Sequence, residues 1–441
     1  MSAAEHTQRS DVSVHGGKEK THTGAKRLVL FLLSPRVIDF DSYLPVAMAL
    51  KKESPDWHIR FVTFSAPNYQ YIRKTTTFTK ALDMCGNIHY LGSASFDAGE
   101  GKELATPFPL RIARRIGAMA RITGWLLANP GALIFHGRHF NSGPYVLWYL
   151  LNKALGGKGY ILARSRFFDE GYHPDECARF EATIEKQSLV EKLFGSDADG
   201  VIYYHDKQPL YMKTLGNFGR VQNLPHFLYG MPTLTPVWQG LIDSEAEVEK
   251  KRLESLGCNT SEMYVFFANK SYVSKYFRKP DSIQRTFKPL IERMLKLHPE
   301  ATLLIRPHPL AMHEPYFVEA LEELDTPRVV ISWAHAEVLL TLGKCAVINC
   351  ITNIVYSSNR GRFIDCSEYR TDEIERRGSC PFGKGFGLVY IDPEDCDFEE
   401  RFAAALEDGV WDAHPELMSE RSRLFAPVNH RPKEFMSWLD S

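Results

Sequence analysis

Short apolar runs alternate with stretches of helical spacing along the first half of the chain. The run at 27–33 is almost continuously apolar, which is typical of a strand buried on both faces of a parallel sheet. A stretch of helical spacing at 43–52 follows it. Similar runs predict strands at 59–64, 132–135, 159–163 and 200–204. Strands and helices that alternate in this way predict an open, mostly parallel α/β sheet.

The same alternation begins again in the second half. Between 225 and 236 the pattern loosens into Pro, Gly and Thr, and a charged helix at 243–256 follows, so we place a domain boundary there. Apolar residues spaced for one buried face predict a helix at 283–297. Further strands are predicted at 263–267, 302–305, 329–332, 346–349 and 387–391, and a final short helix at 432–439.

Two Rossmann-like domains are therefore predicted, an acceptor domain at 26–235 and a nucleotide-donor domain at 236–425. A disordered tail at 1–25 precedes them, and a segment at 426–441 is predicted to return to the first domain. Ligands of open α/β sheets bind at the carboxyl ends of the strands. Two facing sheets bring those ends together across one cleft, so we expect functional residues at strand ends.

Composition narrows the class of protein. The length of 441 residues favours two domains, and 44% hydrophobic and 24% charged residues are ordinary for a globular protein. A net charge of −1 gives no reason to expect nucleic acid binding. We expect neither a secretory signal nor a transmembrane helix, because residues 1–25 have no apolar core and no run of eighteen apolar residues occurs. Eight scattered cysteines without a Cys-x-x-Cys pair predict reduced thiols and a cytoplasmic protein.

Two adjacent acids follow the predicted strand at 159–163. Asp169 and Glu170 stand before a glycine, a pattern that is also common in ordinary turns. At a strand end, a partly buried carboxylate can act as the general base on an acceptor hydroxyl. We predict Asp169 as that base, with Glu170 as the close alternative. Arg164 and Arg166 would hold an anionic acceptor, or would pair with these two acids.

A cation and an imidazole follow the predicted strand at 302–305. The chain contains four His-Pro dipeptides, but only the one at His308 comes after a buried strand, with Arg306 two residues before it. Prolines at 307 and 309 fix the turn. Guanidinium and imidazole groups at a strand end can bind the oxygens of a phosphate or diphosphate. We predict Arg306 and His308 as the donor-phosphate site.

Other predicted strands also end in polar residues. Thr352 follows the strand at 346–349, where it would cap a helix, contact phosphate, or do both. Lys270 or Lys275, after the strand at 263–267, would touch phosphate, with a solvated surface lysine as the alternative.

The first domain offers two further acceptor-site candidates. Asp41 lies in the loop after the first strand, where it would contact the acceptor or cap a helix. His136 follows the strand at 132–135. We expect no metal there, because His136 and His139 have no acidic or thiol partner nearby.

A basic amphipathic stretch occupies 111–126. Its arginines, Arg111, Arg114, Arg115 and Arg121, interleave with apolar residues. This pattern predicts peripheral contact with an anionic inner-membrane surface or with a polyanionic acceptor. The alternative is a packed helix whose charged side is solvated.

Asp169-Glu170-Gly171, the His308-Pro309 turn and Thr352 together resemble the GT-B glycosyltransferases that include bacterial sialyl- and polysialyltransferases and capsule-polysaccharide (Kdo) transferases. The resemblance implies a base at Asp169, contact of His308 with the phosphate of CMP, and assistance by Thr352. The family's third motif is usually a Ser-Ser or Ser-Thr pair, so Ser357 and Ser358 are the alternative equivalents.

The resemblance implies transfer of a sialic acid-like or Kdo-like sugar from a CMP-activated donor to a surface or capsular glycan. It implies no cofactor and no metal, and it implies inversion at the anomeric carbon if the acid is a true base. The Arg-Pro-His-Pro form at 306–309 also resembles CDP-glycerol glycerophosphotransferases. The two domains would also suit a UDP-sugar 2-epimerase or a non-catalytic glycan-binding protein, and the sequence leaves the oligomeric state open.

Overall fold

The computed structural model describes residues 26–33, 37–92, 108–137, 140, 143–162, 198–204, 224–269, 277–308, 315–324, 326–350, 358, 360–379, 388–407 and 432–441. Two parallel sheets with helices between their strands form the described chain, which confirms the predicted α/β class. The predicted tail at 1–25 lies outside the described residues.

The strands are β1 (Leu28–Leu32), β2 (His58–Thr63), β3 (Gly86–Tyr90), β4 (Leu133–His136), β5 (Lys158–Leu162), β6 (Gly200–Tyr203), β7 (His226–Leu228), β8 (Met263–Ala268), β9 (Thr302–Pro307), β10 (Val329–Ile331), β11 (Ala346–Ile348), β12 (Phe363–Asp365) and β13 (Leu388–Tyr390). The described helices are α1 (Val37–Glu53), α2 (Ala66–Lys74), α3 (Thr76–Cys85), α4 (Phe108–Leu127), α5 (Gly143–Ala154), α6 (Pro236–Ser255), α7 (Ser282–Leu297), α8 (Pro315–Leu324), α9 (Ala336–Leu342), α10 (Thr371–Ser379), α11 (Phe398–Leu406) and α12 (Pro432–Asp440).

The first sheet has the strand order β3-β2-β1-β4-β5-β6-β7, and the second has the order β10-β9-β8-β11-β12-β13. All strand pairs within these sheets are parallel. The order reverses between β1 and β4 in the first sheet and between β8 and β11 in the second. These two reversals are the topological switch points at which open α/β sheets form a ligand crevice.

Three strands were not predicted from the pattern of apolar residues. β3 is a half-buried edge strand that includes Asn87 and His89. β7 has only three residues, is an edge strand, and falls in the stretch that we interpreted as a loosened linker. β12 also has three residues. Such strands are too short or too exposed to give a long apolar run, so periodicity does not reveal them.

Helix α6 connects the two sheets through one continuous core. Its residues Trp238 and Ile242 are fully buried, and they belong to the same cluster of buried side chains as Phe31 of β1 and Val265 of β8. The helix contacts α1 and α3 on the first domain and α9 on the second. Shared burial of this kind resists separation of the two domains, because opening them would expose apolar surface.

The last helix, α12, packs on the first sheet. The hydroxyl of Tyr160 donates to the carbonyl oxygen of Leu439 at 2.7 Å, and the Tyr160 ring lies 5.0 Å from that of Trp438. Gly200 is required at this contact, because a Cβ there would come within 2.9 Å of Trp438. Among the described helices, none has the length and apolarity needed to cross a bilayer.

Candidate functional site

The carboxyl ends of the strands at the two switch points define the candidate site. In the first sheet, Leu32 of β1 pairs with His136 of β4. In the second, Phe267 of β8 pairs with Ile348 of β11. The polar residues that follow these strands and their neighbours are therefore candidates for ligand contacts.

Arg306 and His308 lie at the carboxyl end of β9, next to the second switch point. The backbone N–H of His308 donates to the carbonyl oxygen of Ala268 at 2.7 Å. The pairing of β9 with β8 therefore continues past Pro307. Arg306 is half-buried, and its Nε donates to the carbonyl oxygen of Ala334 at 3.1 Å. Its Nη2 donates to the hydroxyl of Tyr71 on the first domain at 2.6 Å. The structure therefore fixes the guanidinium from both domains.

A second polar contact crosses between the domains beside Arg306. Nε2 of His335, in the turn before α9, lies 3.3 Å from Oδ1 of Asp41 on α1. We call Asp41, Tyr71, Arg306 and His335 the cross-cleft cluster. Burial raises the pKa of the Tyr71 phenol, and the nearby Arg306 lowers it only in part. Tyr71 is thus a neutral phenol at neutral pH, and its oxygen accepts the hydrogen bond from Arg306.

The hydrogen bonds of His335 define its tautomer. Its Nδ1 lies 3.3 Å from the backbone N–H of Glu337 and accepts from it as the cap of α9. A neutral imidazole that accepts at Nδ1 carries its proton on Nε2. Nε2 therefore donates to Asp41, and the helix cap and the contact between the domains depend on the same ring. The rings of Phe78 and Trp238 pack edge-on against it, with centroids 5.2 and 5.4 Å away.

A fully buried acid lies beneath this ring. Oε2 of Glu337 accepts from Nε1 of Trp238 at 2.6 Å. Burial raises the pKa of Glu337, while the hydrogen bonds from Trp238 and Ser358 oppose that shift. A carboxyl group near the amino end of α9 is also favoured by the helix dipole. The acid joins α6, which carries Trp238, to α9.

Charged residues fix the loops that follow β12 and β13. Asp365 is buried, and its two oxygens accept from the backbone N–H of Ser367 at 3.0 Å and from the hydroxyl of Tyr369 at 3.1 Å. Nη1 of Arg278 donates to Oδ2 of Asp392 at 2.9 Å, and its Nη2 donates to Oδ1. These bonds raise the pKa of the Arg278 guanidinium.

The same residues connect the chain after β8 with the chain after β12. The backbone N–H of Arg278 donates to the carbonyl oxygen of Glu368 at 2.9 Å, and Arg285 pairs with the Glu368 carboxylate. We call Arg278, Arg285, Asp365, Glu368 and Asp392 the C-terminal polar network. It holds three segments at the carboxyl edge of the second sheet in one arrangement.

The first sheet presents a different edge. The imidazole of His136 is buried, and its centroid lies 4.4 Å from the ring of Tyr145 and 5.7 Å from that of Phe140. Trp148 continues this aromatic layer and stacks on Phe64 at 6.2 Å. Asp41 takes part in the cross-cleft cluster. The acceptor-binding roles of His136 and Asp41 stay predictions.

The remaining predicted site residues lie outside the described residues, and their roles also stay predictions. They are Arg164, Arg166, Asp169, Glu170, Lys270, Thr352 and Ser357. Within the ranges that the structure describes, no group of three His, Cys, Asp or Glu side chains could hold a metal ion.

Sequence reasoning missed two of the four residues of the cross-cleft cluster, Tyr71 and His335, and also the buried Glu337. Tyr71 lies in an ordinary polar helix, and nothing in its local sequence marks it. The burial of Glu337 could have been predicted from the sequence, because an acid followed by Val, Leu and Leu at the start of a helix is positioned for burial. A buried acid needs a partner, and Trp238 and Ser358 supply it here.

The two facing domains with parallel Rossmann-like sheets are those of the GT-B fold. The chain is similar to the UDP-GlcNAc 2-epimerase from Neisseria meningitidis bound to UDP-GlcNAc, with 9% identity over 95% of this chain and 100% of that one and a TM-score of 0.53. Arabidopsis thaliana UGT89C1 complexed with UDP gives 11% identity, 94% and 100% coverage and a TM-score of 0.51.

Phytolacca americana UGT2, complexed with UDP-2fluoro-glucose and pterostilbene, gives 11% identity, coverage of 94% of this chain and 98% of that one, and a TM-score of 0.50. At these identities the likeness establishes the fold. No protein-family model matches the sequence, and no curated protein matches it either.

Proposed function

We propose that the protein is a glycosyltransferase that moves a sugar from a nucleotide-activated donor to a glycan acceptor. The position of Arg306 and His308 carries the proposal, because both lie at the carboxyl end of β9 beside the switch point of the second sheet. A cation and an imidazole at that place suit the phosphate of a departing nucleotide.

Arg306 is suited to this role by the way it is fixed. Its Nε and Nη2 donate to Ala334 and Tyr71, whereas its Nη1 has no partner among the described residues. Nη1 can therefore donate to a phosphate oxygen from a guanidinium that is already oriented. Such preorganisation stabilises developing charge without a reorganisation cost at the moment of reaction.

The donor that we propose first is a UDP-sugar. The support is that three proteins of similar fold were solved with UDP, UDP-2fluoro-glucose or UDP-GlcNAc. A CMP-activated sialic acid-like or Kdo-like donor, which the sequence resemblance implies, is the second candidate. A CDP-glycerol-type donor is the third. The proposed acceptor is a surface or capsular glycan.

In the proposed reaction, the acceptor hydroxyl oxygen attacks the anomeric carbon of the donor sugar. Asp169, or Glu170 in its place, takes the hydroxyl proton. The bond between the anomeric carbon and the phosphate oxygen breaks, and the nucleotide leaves with the electron pair. Arg306 and His308 neutralise the charge that develops on the phosphate, and a direct displacement inverts the anomeric centre.

The other predicted residues have supporting roles in the proposal. Thr352, or Ser357 in its place, and Lys270 would contact the phosphate. The acceptor side would include residues on or after strands of the first sheet, namely Arg164, Arg166, Asp41 and His136. The cationic side chains would take the place of a divalent ion, so we propose a reaction without metal or other cofactor.

Isothermal titration calorimetry with UDP, CMP and CDP tests the donor site. We expect UDP to bind most tightly, and we expect the dissociation constant to rise about tenfold in His308→Ala, since a charged hydrogen bond is worth roughly 1.5–3 kcal/mol. His226→Ala is the matched control, because His226 is exposed on the edge strand β7. Tightest binding of CMP or CDP would select the second or third donor. No binding of any nucleotide by the folded protein would contradict the proposal.

A UDP-sugar 2-epimerase is the second candidate function, and one observation favours it. The solved structure with a TM-score of 0.53 is an enzyme of that name bound to UDP-GlcNAc. Incubation with UDP-GlcNAc in the absence of any acceptor separates the two functions. An epimerase would yield the C2 epimer of UDP-GlcNAc with no net release of UDP, whereas a glycosyltransferase would release UDP only when an acceptor or water takes the sugar.

A further inference from the structure

Helix α4 exposes large apolar side chains along the outside of the first domain. Ile112 is 41% exposed, Ile116 is 61% exposed and Leu127 is 57% exposed. Single exposed apolar residues are ordinary, but a row of them along one helix is typical of an interaction surface.

The exposed residues form one stripe. At 3.6 residues per turn, positions 112, 116, 120 and 127 lie on one side of the helix. Ala118, Ile122 and Leu126 are buried against the sheet on another side. One flank of the exposed surface of α4 therefore carries Ile, Ile, Ala and Leu, while exposed arginines lie elsewhere on the same helix. We call Ile112, Ile116, Ala120 and Leu127 the α4 face. It extends about 22 Å, at 1.5 Å per residue.

Exposed arginines, Arg114 and Arg121, lie on the far flank of the helix from this face, and no negative charge lies within the helix. The sequence of α4 contains four arginines and neither Asp nor Glu. Arg121 is exposed and lies over the Trp125 ring, 6.0 Å from its centroid. Arg60 of β2 lies over the same ring at 4.6 Å. Burial lowers the pKa of Arg60, and the nearby charge of Arg121 lowers it further.

The strands before and after α4 show at which edge of the first sheet each end of this face lies. The helix follows β3 and leads directly into β4, and the strands of the sheet are parallel. Its amino-terminal end, with Ile112 and Ile116, therefore lies toward the carboxyl edge of the first sheet. That edge is the one that borders the cleft.

We propose that the α4 face docks the protein onto an anionic lipid membrane surface. A bilayer interface accepts both parts of the surface, because its acyl region takes up isoleucine and leucine side chains while its anionic headgroups attract the arginines. A polyanionic glycan could neutralise the arginines, but it offers no apolar phase for Ile112 and Ile116. Docking along the whole face lays α4 parallel to the membrane surface.

Sedimentation of the full-length protein with vesicles tests the proposal without any donor or acceptor. The probes are vesicles of phosphatidylcholine alone and of phosphatidylcholine with phosphatidylglycerol. We expect binding to the vesicles that contain phosphatidylglycerol. We expect that binding to weaken as salt rises from about 50 to about 500 mM, because surface charges are screened over a shorter distance at the higher ionic strength.

Substitutions distinguish binding through the α4 face from nonspecific binding of the protein to vesicles. In the double variant Ile112→Ser, Ile116→Ser, we expect vesicle binding to weaken about tenfold or more, since it removes two large apolar side chains from the interface. The matched control is Val248→Ser, Leu256→Ser, which alters two residues of the α6 region that are 54% and 59% exposed. The control should bind as the wild type does, and both variants should keep its melting temperature.

Three results would overturn the proposal. The first is equal binding to vesicles with and without phosphatidylglycerol at low salt. The second is a loss of binding in the control as large as in the α4 variant. The third is stronger binding to a soluble anionic polysaccharide than to vesicles, unaffected by the serine substitutions. Because the assay contains no nucleotide, its outcome is independent of the proposed enzymatic activity.

Discussion

The two edges that border the cleft are built from different chemistry. At the edge of the first sheet, His136 at the end of β4 belongs to an aromatic layer and stacks on Tyr145. At the edge of the second sheet, the C-terminal polar network holds its loops through ion pairs such as Arg278 with Asp392. One edge is fixed by packing, and the other by directed hydrogen bonds.

This difference bears on what each edge can bind. Hydrogen-bonded charges hold backbone loops in one geometry, which suits a nucleotide whose polar groups must be matched one by one. An aromatic layer gives a site its shape, and the polar contacts to a ligand must then come from the neighbouring loops. The cross-cleft cluster joins the two edges, because Asp41 and Tyr71 on one side contact His335 and Arg306 on the other.

The largest expected effect lies on the first-sheet side. Asp169→Asn should lower kcat by about 10²–10⁴-fold, because it removes the proposed general base while keeping the shape of the side chain. The nucleotide dissociation constant should stay within about twofold, since the donor site is on the other domain. Steady-state kinetics and calorimetry on the same preparation measure both. Glu170→Gln is the paired variant, and a larger loss there than in Asp169→Asn would move the base to Glu170.

The next effect concerns the rigidity of the second edge. Arg278→Ala should reduce the free energy of unfolding by about 2 kcal/mol, because it removes two hydrogen bonds to the carboxylate of Asp392. Lys279→Ala is the control next to it. Lys279 is 46% exposed and pairs with an equally exposed Glu394, so its loss should cost less than about 0.5 kcal/mol. Denaturant unfolding compares the two, and equal losses would mean that the network does not stabilise this edge.

A smaller effect is expected where the edges meet. Tyr71→Phe removes the oxygen that accepts from Nη2 of Arg306. We expect nucleotide binding to weaken by about three- to tenfold, which corresponds to one hydrogen bond of roughly 1 kcal/mol. Tyr69→Phe, two residues away in α2 and stacked on Tyr90, is the matched control. Unchanged nucleotide affinity in both variants would show that Arg306 needs no support from the first domain.

The smallest effect is a change in how stability depends on pH. Burial raises the pKa of Glu337 in the folded state above its ordinary value of 4.5. The stability that this group contributes is therefore fully present below pH 4.5 and is lost as the pH rises through the folded-state pKa. Glutamine does not titrate, so Glu337→Gln should gain stability relative to the wild type as the pH rises from 4.5.

Denaturant unfolding at a series of pH values measures this difference. Glu247→Gln, an exposed position on α6, is the control and should follow the wild type throughout. Parallel curves for the wild type and Glu337→Gln would contradict the inference that this buried acid holds its proton more tightly in the folded state.

The sequence predicted the buried strands better than the edges and the site. β1, β8 and β9 were predicted because strands covered on both faces give continuous apolar runs. The position of Arg306 and His308 at a strand end was also predictable, since it requires only that 302–305 be a strand. Tyr71 and His335 were not, because their partners Arg306 and Asp41 lie 235 and 294 residues away. The local spacing of apolar residues carries no information about a contact between two domains.

Hydrogen–deuterium exchange with and without a saturating nucleotide tests the central claim most directly. The claim is that a nucleotide binds at the carboxyl edge of the second sheet. We predict slower exchange after binding at the carboxyl ends of β8, β9 and β11, in the segments 269–276, 306–309 and 349–358. The depression at the opposite edge, lined by Asp243, Met263 and Thr341, should keep its exchange rates. Protection confined to that depression, with none at the three strand ends, would contradict the account.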